Sequence, residues 1–170
     1  MSVIIRDARP EEFEALGRLM VAVYSGLDGF PKPDEQPKYY EMLANIGQMA
    51  ARPGTRLLVA EAGGRLQGGV VYFADMAQYG SGGTATQEKH AGGFRLLAVD
   101  PGTRGTGAGR ALAQKCVDLA REAGLGQVII HTTQSMKVAW AMYEKMGFRR
   151  SPDLDFMQGQ LQVFGFRMPL

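Results

Sequence analysis

The sequence predicts an α/β domain built on a mixed β-sheet, and three observations carry that expectation. Apolar periodicity alternates between strand-like and helix-like runs in the order β-α-α-β-β-β-α-β-α-β. One strand-like run passes through a turn holding Gly105, Gly107 and Gly109 into a helix-like run. The chain has 170 residues, the size of one domain, and can bury roughly 70% of its unfolded surface without a disulfide or metal. Residues 1–170 are therefore expected to form a single domain.

Each element has a local reason. Val3 to Ile5 is a short β-branched run that reads as the first strand. Pro10-Glu11-Glu12 opens a helix with acids in its first turn, and Phe13, Leu16, Leu19, Met20 and Val23 form its apolar stripe. Ser25 to Pro33 is a loop by its Gly and Pro content. A second helix is expected from about Asp34 to Ala51, with a break near Pro37 and a stop at Pro53-Gly54. Leu57 to Ala62 and Leu66 to Phe73 are strands joined through Gly63-Gly64. Ala77 to Gly92 is rich in Gly, Ser and Thr and reads as a long loop. Phe94 to Val99 is a strand, Ala108 to Ala123 a helix and Gln127 to Thr132 a buried-type strand. Met136 to Met146 is a helix ended by Gly147, and Gln160 to Met168 is the final strand.

The glycine turn, Arg104-Gly105-Thr106-Gly107-Ala108-Gly109-Arg110, is suited to phosphate. Glycines permit φ > 0 and close backbone approach, and the first N–H groups of the following helix have no partner within it. The helix dipole adds positive potential, and Arg104 and Arg110 add charge-assisted donors. The dinucleotide fingerprint fails on spacing: the sixth position is Arg110 counting from Gly105 and Leu112 counting from Gly107. The P-loop fails too, because Ala108-Gly109 stand where Lys-Ser/Thr is required.

The full run from Val99-Asp100-Pro101 through Leu112 resembles the acetyl-coenzyme A signature of the GCN5-related N-acetyltransferase (GNAT) superfamily, Arg/Gln-x-x-Gly-x-Gly/Ala. Ala139-Trp140-Ala141-Met142-Tyr143-Glu144-Lys145-Met146-Gly147-Phe148 resembles a second segment of that family. The resemblance implies a single-domain GNAT-like fold with helices on both faces. Its sheet is splayed at the strand before the glycine turn, and acetyl-CoA lies in the wedge. Gly105, Thr106, Gly107, Ala108, Gly109 and Arg110, with Arg104, are then the pyrophosphate cradle. Leu97, Ala98 and Val99 pair with the pantetheine amides, and a backbone N–H of Leu97 or Ala98 faces the developing oxyanion. Lys115, Lys137 or Lys145 is left to meet the 3′-phosphate. Where the family commonly has an asparagine seven residues before the tyrosine, this chain has Met136.

The implied reaction is acetyl transfer to the amine of a small molecule by direct attack in a ternary complex. Tyr143 is the candidate acid for the departing thiolate. Glu88 and His90, just before the cofactor strand, are candidate bases, with a water relay as the alternative. Phe30, Tyr39 and Tyr40 are candidates to pack the acceptor, and Asp28, Asp34, Glu35 and Glu41 to attract its charge. The loop from Ala77 to Gly92 is a candidate flap over the acceptor. Two other readings stay open: a non-catalytic acyl-CoA-binding module on the same fold, and acetylation of a protein or peptide amine.

Composition narrows the partners. The net charge is +2, with no basic stripe interleaved with aromatics, so nucleic acid is not an expected partner. No 18-residue apolar run or secretory h-region is present, so no membrane association is expected. No metal site is expected. The single cysteine, Cys116, falls on the apolar stripe of its helix and fits a reducing, cytoplasmic setting. A homodimer is compatible with the sequence, which does not set the oligomeric state.

Overall fold

The computed structural model describes residues 2–103 and 105–170. Strand β1 (Ile4–Asp7) leads through a 3₁₀ turn (Pro10–Glu12) into helix α1 (Phe13–Ser25), followed by α2 (Pro37–Ala44) and a 3₁₀ segment (Ile46–Ala51). Strands β2 (Thr55–Ala62), β3 (Arg65–Phe73) and β4 (Ala91–Val99) come next, then α3 (Ala108–Glu122), β5 (Gln127–Thr132) and α4 (Lys137–Met146). The chain closes with β6 (Arg149–Arg150), β7 (Phe156–Gln158) and β8 (Leu161–Pro169). Among the described residues the main path runs β1-β2-β3-β4-β5-β8-β6, with β7 pairing on β8. Every pairing is antiparallel except β4 with β5, which is parallel.

The sheet is covered on both faces, so its central strands read as continuous apolar runs. In β2, Leu57 and Val59 join one core with Leu16, Met20 and Tyr24 of α1 and Leu43 of α2. Leu58 and Ala60 join the other, with Leu112, Cys116, Val117 and Ala120 of α3. This is the period-2 alternation of a strand meeting the 3.6 stripes of two helices. Tyr143 of α4 joins the α3 side, edge-on to Phe94 and Phe148.

The expected element order is present, with two short strands added and three corrections. The second helix is shorter than expected: Pro37 sits at its first turn, and Asn45 separates it from a 3₁₀ segment. The first strand is displaced by a residue or two toward Asp7. The third correction concerns the segment from Ala77 to Gly92, which is packed down rather than free. Asp75 accepts a hydrogen bond from the Ala77 N–H at 2.9 Å, and a second 3₁₀ turn forms at Ala85–Gln87. Tyr79 and Ala85 are fully buried, and β4 already begins at Ala91. Glycine-rich composition marked it as a loop. The buried tyrosine and alanine anchor it.

Candidate active site

The site is made by a failure of pairing. Strands β4 and β5 are hydrogen-bonded only where Ala91–Gly93 face Gln127–Ile129. Beyond Gly93 they part. On its other edge β4 stays paired to β3, but the register shifts between Val71↔Arg95 and Gly69↔Ala98. Leu96 and Leu97 thus stand opposite the single Val70, a β-bulge, and Leu96 takes φ 62. A leucine in the left-handed region costs about 1–2 kcal/mol. Burial of its side chain to 6% exposure helps to offset this. The bulge bends β4 away from β5 and opens a cavity of about 1200 Å³.

Leu97, Ala98 and Val99 line one wall of this cavity, and the glycine turn closes one end. Gly105, Thr106, Gly107, Ala108, Gly109 and Arg110 all border it; Arg104 lies outside the described residues. Gly105 and Gly107 have φ of 87 and 86, and Gly107 is the N-cap of α3. A β-carbon added at either would meet nothing within 4 Å, so the turn faces open space with its backbone. The turn is tied to β3. Gln67 is buried, its carbonyl accepts from the Asp100 N–H at 2.7 Å, and its side chain accepts from the Thr106 hydroxyl at 3.0 Å.

Across the wedge, the end of β5 contributes Thr132 and the adjoining Thr133, and the second half of α4 contributes Tyr143. The Thr133 hydroxyl is buried and has no hydrogen-bond partner in the protein. An orphaned hydroxyl at the wall and an open glycine cradle at one end fit a long ligand carrying both amides and phosphates, as coenzyme A does. Burial pushes the Tyr143 phenol well above its ordinary range, so it stays protonated at working pH. Lys137 borders the same cavity; Lys115 and Lys145 do not.

At the other end, Phe30 and Tyr39 line the cavity, facing Phe156, Leu161 and Val163 of the last hairpin. Tyr40 does not. Its ring is buried among α1 and α2, and its hydroxyl donates to the Pro31 carbonyl at 2.5 Å, because residue 40 points inward when Tyr39 points to the cavity. Asp28 is at the rim; Asp34, Glu35 and Glu41 are away from it, and Glu35 caps the Lys32 N–H at 2.9 Å.

Glu88 and His90 also require correction, since neither borders the cavity. They precede β4 at the end where it is still paired with β5. The Glu88 carboxylate is held by Arg167, which also binds Asp153. His90 packs over Gly126, which donates its N–H to the His90 carbonyl at 2.9 Å. The residues of β4 from Phe94 to Val99 that border the cavity lie further along the strand.

Sequence reasoning missed two residues. His131 of β5 borders the cavity, and its Nε2 donates to the Leu154 carbonyl at 2.9 Å. A carbonyl only accepts, so Nδ1 carries no proton and accepts from the Tyr79 hydroxyl, also at 2.9 Å. Desolvation lowers its pKa to about 4 and keeps it neutral. Arg95 borders the cavity on β4, and it is the one charge in the otherwise apolar run Phe94–Val99, a signal the sequence did carry.

Comparison with known proteins agrees with this geometry. The family model described as Acetyltransferase (GNAT) family matches residues 20–148. The chain belongs to the acetyltransferase (GNAT) family. It is therefore an acyltransferase of a family whose acyl donor is acetyl-CoA. A glucosamine 6-phosphate N-acetyltransferase of Trypanosoma brucei brucei is 31% identical over 109 residues, covering 63% of this chain and 68% of that protein. A mycothiol acetyltransferase of Thermobispora bispora is 40% identical over 55 residues, or 32% of this chain and 19% of the relative. Among solved structures, the PaiA N-acetyltransferase of Thermoplasma acidophilum in complex with coenzyme A superposes with a TM-score of 0.74 at 17% identity, covering all of both chains. That likeness is one of fold.

Proposed function

We propose that this GNAT protein acetylates the primary amine of a small molecule, using acetyl-CoA bound in the β4–β5 wedge, by direct attack in a ternary complex. The observation that carries the reading is one cavity joining an open glycine cradle, the buried residue Tyr143 and an aromatic acceptor end. The glycine turn with Arg110 would hold the pyrophosphate, and Leu97 to Val99 would pair with the pantetheine arm. The donor supplies a thioester-activated acetyl group. A backbone N–H beside the bulge, Leu97 or Ala98, would stabilise the developing oxyanion. The Leu97 carbonyl already accepts from the buried Tyr24 hydroxyl at 3.0 Å, which fixes this stretch of backbone before any ligand arrives.

Tyr143 is the proton donor to the departing sulfur in this reading. The burial that raises its pKa also disfavours a free thiolate beside it, so the transfer is not made uphill by the site. His131 is locked neutral, and Glu88 and His90 are remote, so water at the acceptor end takes the amine proton. A covalent acyl-enzyme on sulfur is disfavoured. Cys116 is fully buried in α3 with its thiol pushed up by desolvation.

Support for a small acceptor comes from the aromatic-walled acceptor end and from the relatives, whose names specify glucosamine 6-phosphate and mycothiol. The test is thiol release from acetyl-CoA across an amine panel, with initial rates in both substrates. Intersecting double-reciprocal lines are expected. Parallel lines would indicate an acyl-enzyme, and coenzyme A binding without transfer to any amine would leave only a binding module.

A further inference from the structure

Resting on that reading, we propose that the acceptor carries an anionic group, a carboxylate or a phosphate, besides its amine, and that Arg95 is the side chain that binds it. Arg95 is half-buried on β4, two positions before Leu97 and on the near side of the bulge, so the anion site is separate from the oxyanion donor. Among the described residues no carboxylate comes within 4.0 Å of its guanidinium. Its protein contacts are the Tyr79 carbonyl, which accepts from Nη1 at 2.9 Å, and the Tyr79 ring, 5.6 Å from the guanidinium carbon. These orient the group without neutralising it.

A second cation makes the imbalance larger. Arg52, exposed at the surface and outside the cavity lining, donates to the Gln78 carbonyl at 3.1 Å and likewise has no carboxylate within 4.0 Å among the described residues. A β-carbon on Gly80 would lie 3.2 Å from Arg95 Nη1 and 3.5 Å from Arg52 Nη1, so both guanidinium groups flank one residue. Charges of like sign this close repel, and a partly buried cation is ordinarily paired. An anion entering from the cavity relieves both costs. Tyr39, on the cavity wall, supplies a further donor, because its hydroxyl has no protein partner among the described residues.

Because Arg95 and the oxyanion donor are different residues of β4, the probes carry amine and anion at separate ends of one molecule. The matched pairs are D-glucosamine 6-phosphate with D-glucosamine, and 6-aminohexanoate with 6-aminohexanamide. Wild-type kcat/KM should favour one or both anionic members by roughly ten- to hundred-fold, the scale of a charge-assisted hydrogen-bond pair, mainly through KM. Arg95→Gln should abolish that preference and Arg95→Lys should retain part of it, while coenzyme A still raises the Tm of each variant. Equal rates within both pairs, or a preference that survives Arg95→Gln, overturns the proposal. If Arg95→Gln fails to fold, the wild-type pairs and Arg95→Lys decide. If no amine is acetylated, the functional reading fails instead. The anion site is then judged by calorimetry of the same pairs on the coenzyme A-saturated protein, where equal affinities reject it.

Discussion

Tyr143 and His131 border the same cavity, and burial acts on them in opposite directions. The phenol is pushed up and keeps its proton, whereas the imidazole is pushed down to about 4 and refuses one. For Tyr143, the proposed acid role predicts that Tyr143→Phe preserves folding and coenzyme A affinity while kcat falls by about 10²–10⁴. Wild-type kcat in that variant would remove the hydroxyl from the reaction. For His131, the prediction concerns stability. Above the ordinary pKa of 6.5, folded and unfolded states are both neutral and its contribution is fully present. As pH falls below 6.5 the unfolded chain takes up a proton that the native site excludes, so stability declines until pH nears 4. Glu12, held at about 2 by Arg6, adds its loss only below its ordinary 4.5. Urea titrations between pH 7 and 5 should show the decline in wild type and a flatter profile in His131→Gln. Identical profiles would mean the imidazole titrates normally. At this scale the place of Tyr143 on the cavity wall was legible, because its neighbours form a motif. Glu88 and His90 lie off the cavity because proximity in sequence to β4 says nothing about which end of a nine-residue strand borders it.

The decisive elements are the bulge in β4 and the glycine turn after it. The turn was legible down to its residues: left-handed φ at Gly105 and Gly107 is what glycine in a strand-to-helix connection offers. The bulge was not legible, since Leu96 and Leu97 look like ordinary strand residues and only the register with β3 reveals the extra one. Arg95 escaped for a related reason: its role depends on Tyr79 and Gly80, contributed by a segment that composition marked as loose. Gly107→Val tests the turn. A β-branched residue at φ 86 should cost about 1–3 kcal/mol, and its side chain would occupy the open face of the cradle. The variant should fold with a lowered Tm and lose more than about tenfold in coenzyme A affinity, some 1.4 kcal/mol. Unchanged affinity in a folded Gly107→Val would move the pyrophosphate elsewhere. The segment around Tyr79 offers a contrasting case. Tyr79→Ala removes a buried ring and should cost about 3–5 kcal/mol of stability, read by denaturant titration, as a core residue would and a mobile flap would not.

For the whole molecule, the topology follows from length, periodicity and one parallel pairing. Antiparallel strands β1 to β4 and the β5–β8 pair form two blocks whose strand ladders meet, among the described residues, only where three residues of β4 face three of β5. In the proposed reading, a ligand takes the place of the missing stretch of the ladder. Coenzyme A at a hundred times its Kd should therefore stabilise the fold by about 2.7 kcal/mol. For a chain of this length that is a Tm rise of about 5–10 °C. The measurement that bears most directly on the proposed site is backbone hydrogen–deuterium exchange with and without coenzyme A. The expected result is slowed exchange confined to Phe94–Val99, the Gly105–Leu112 turn and helix start, and Thr133–Tyr143. Protection absent from all three stretches, or centred on β1 and β2, would contradict a donor site between β4 and β5.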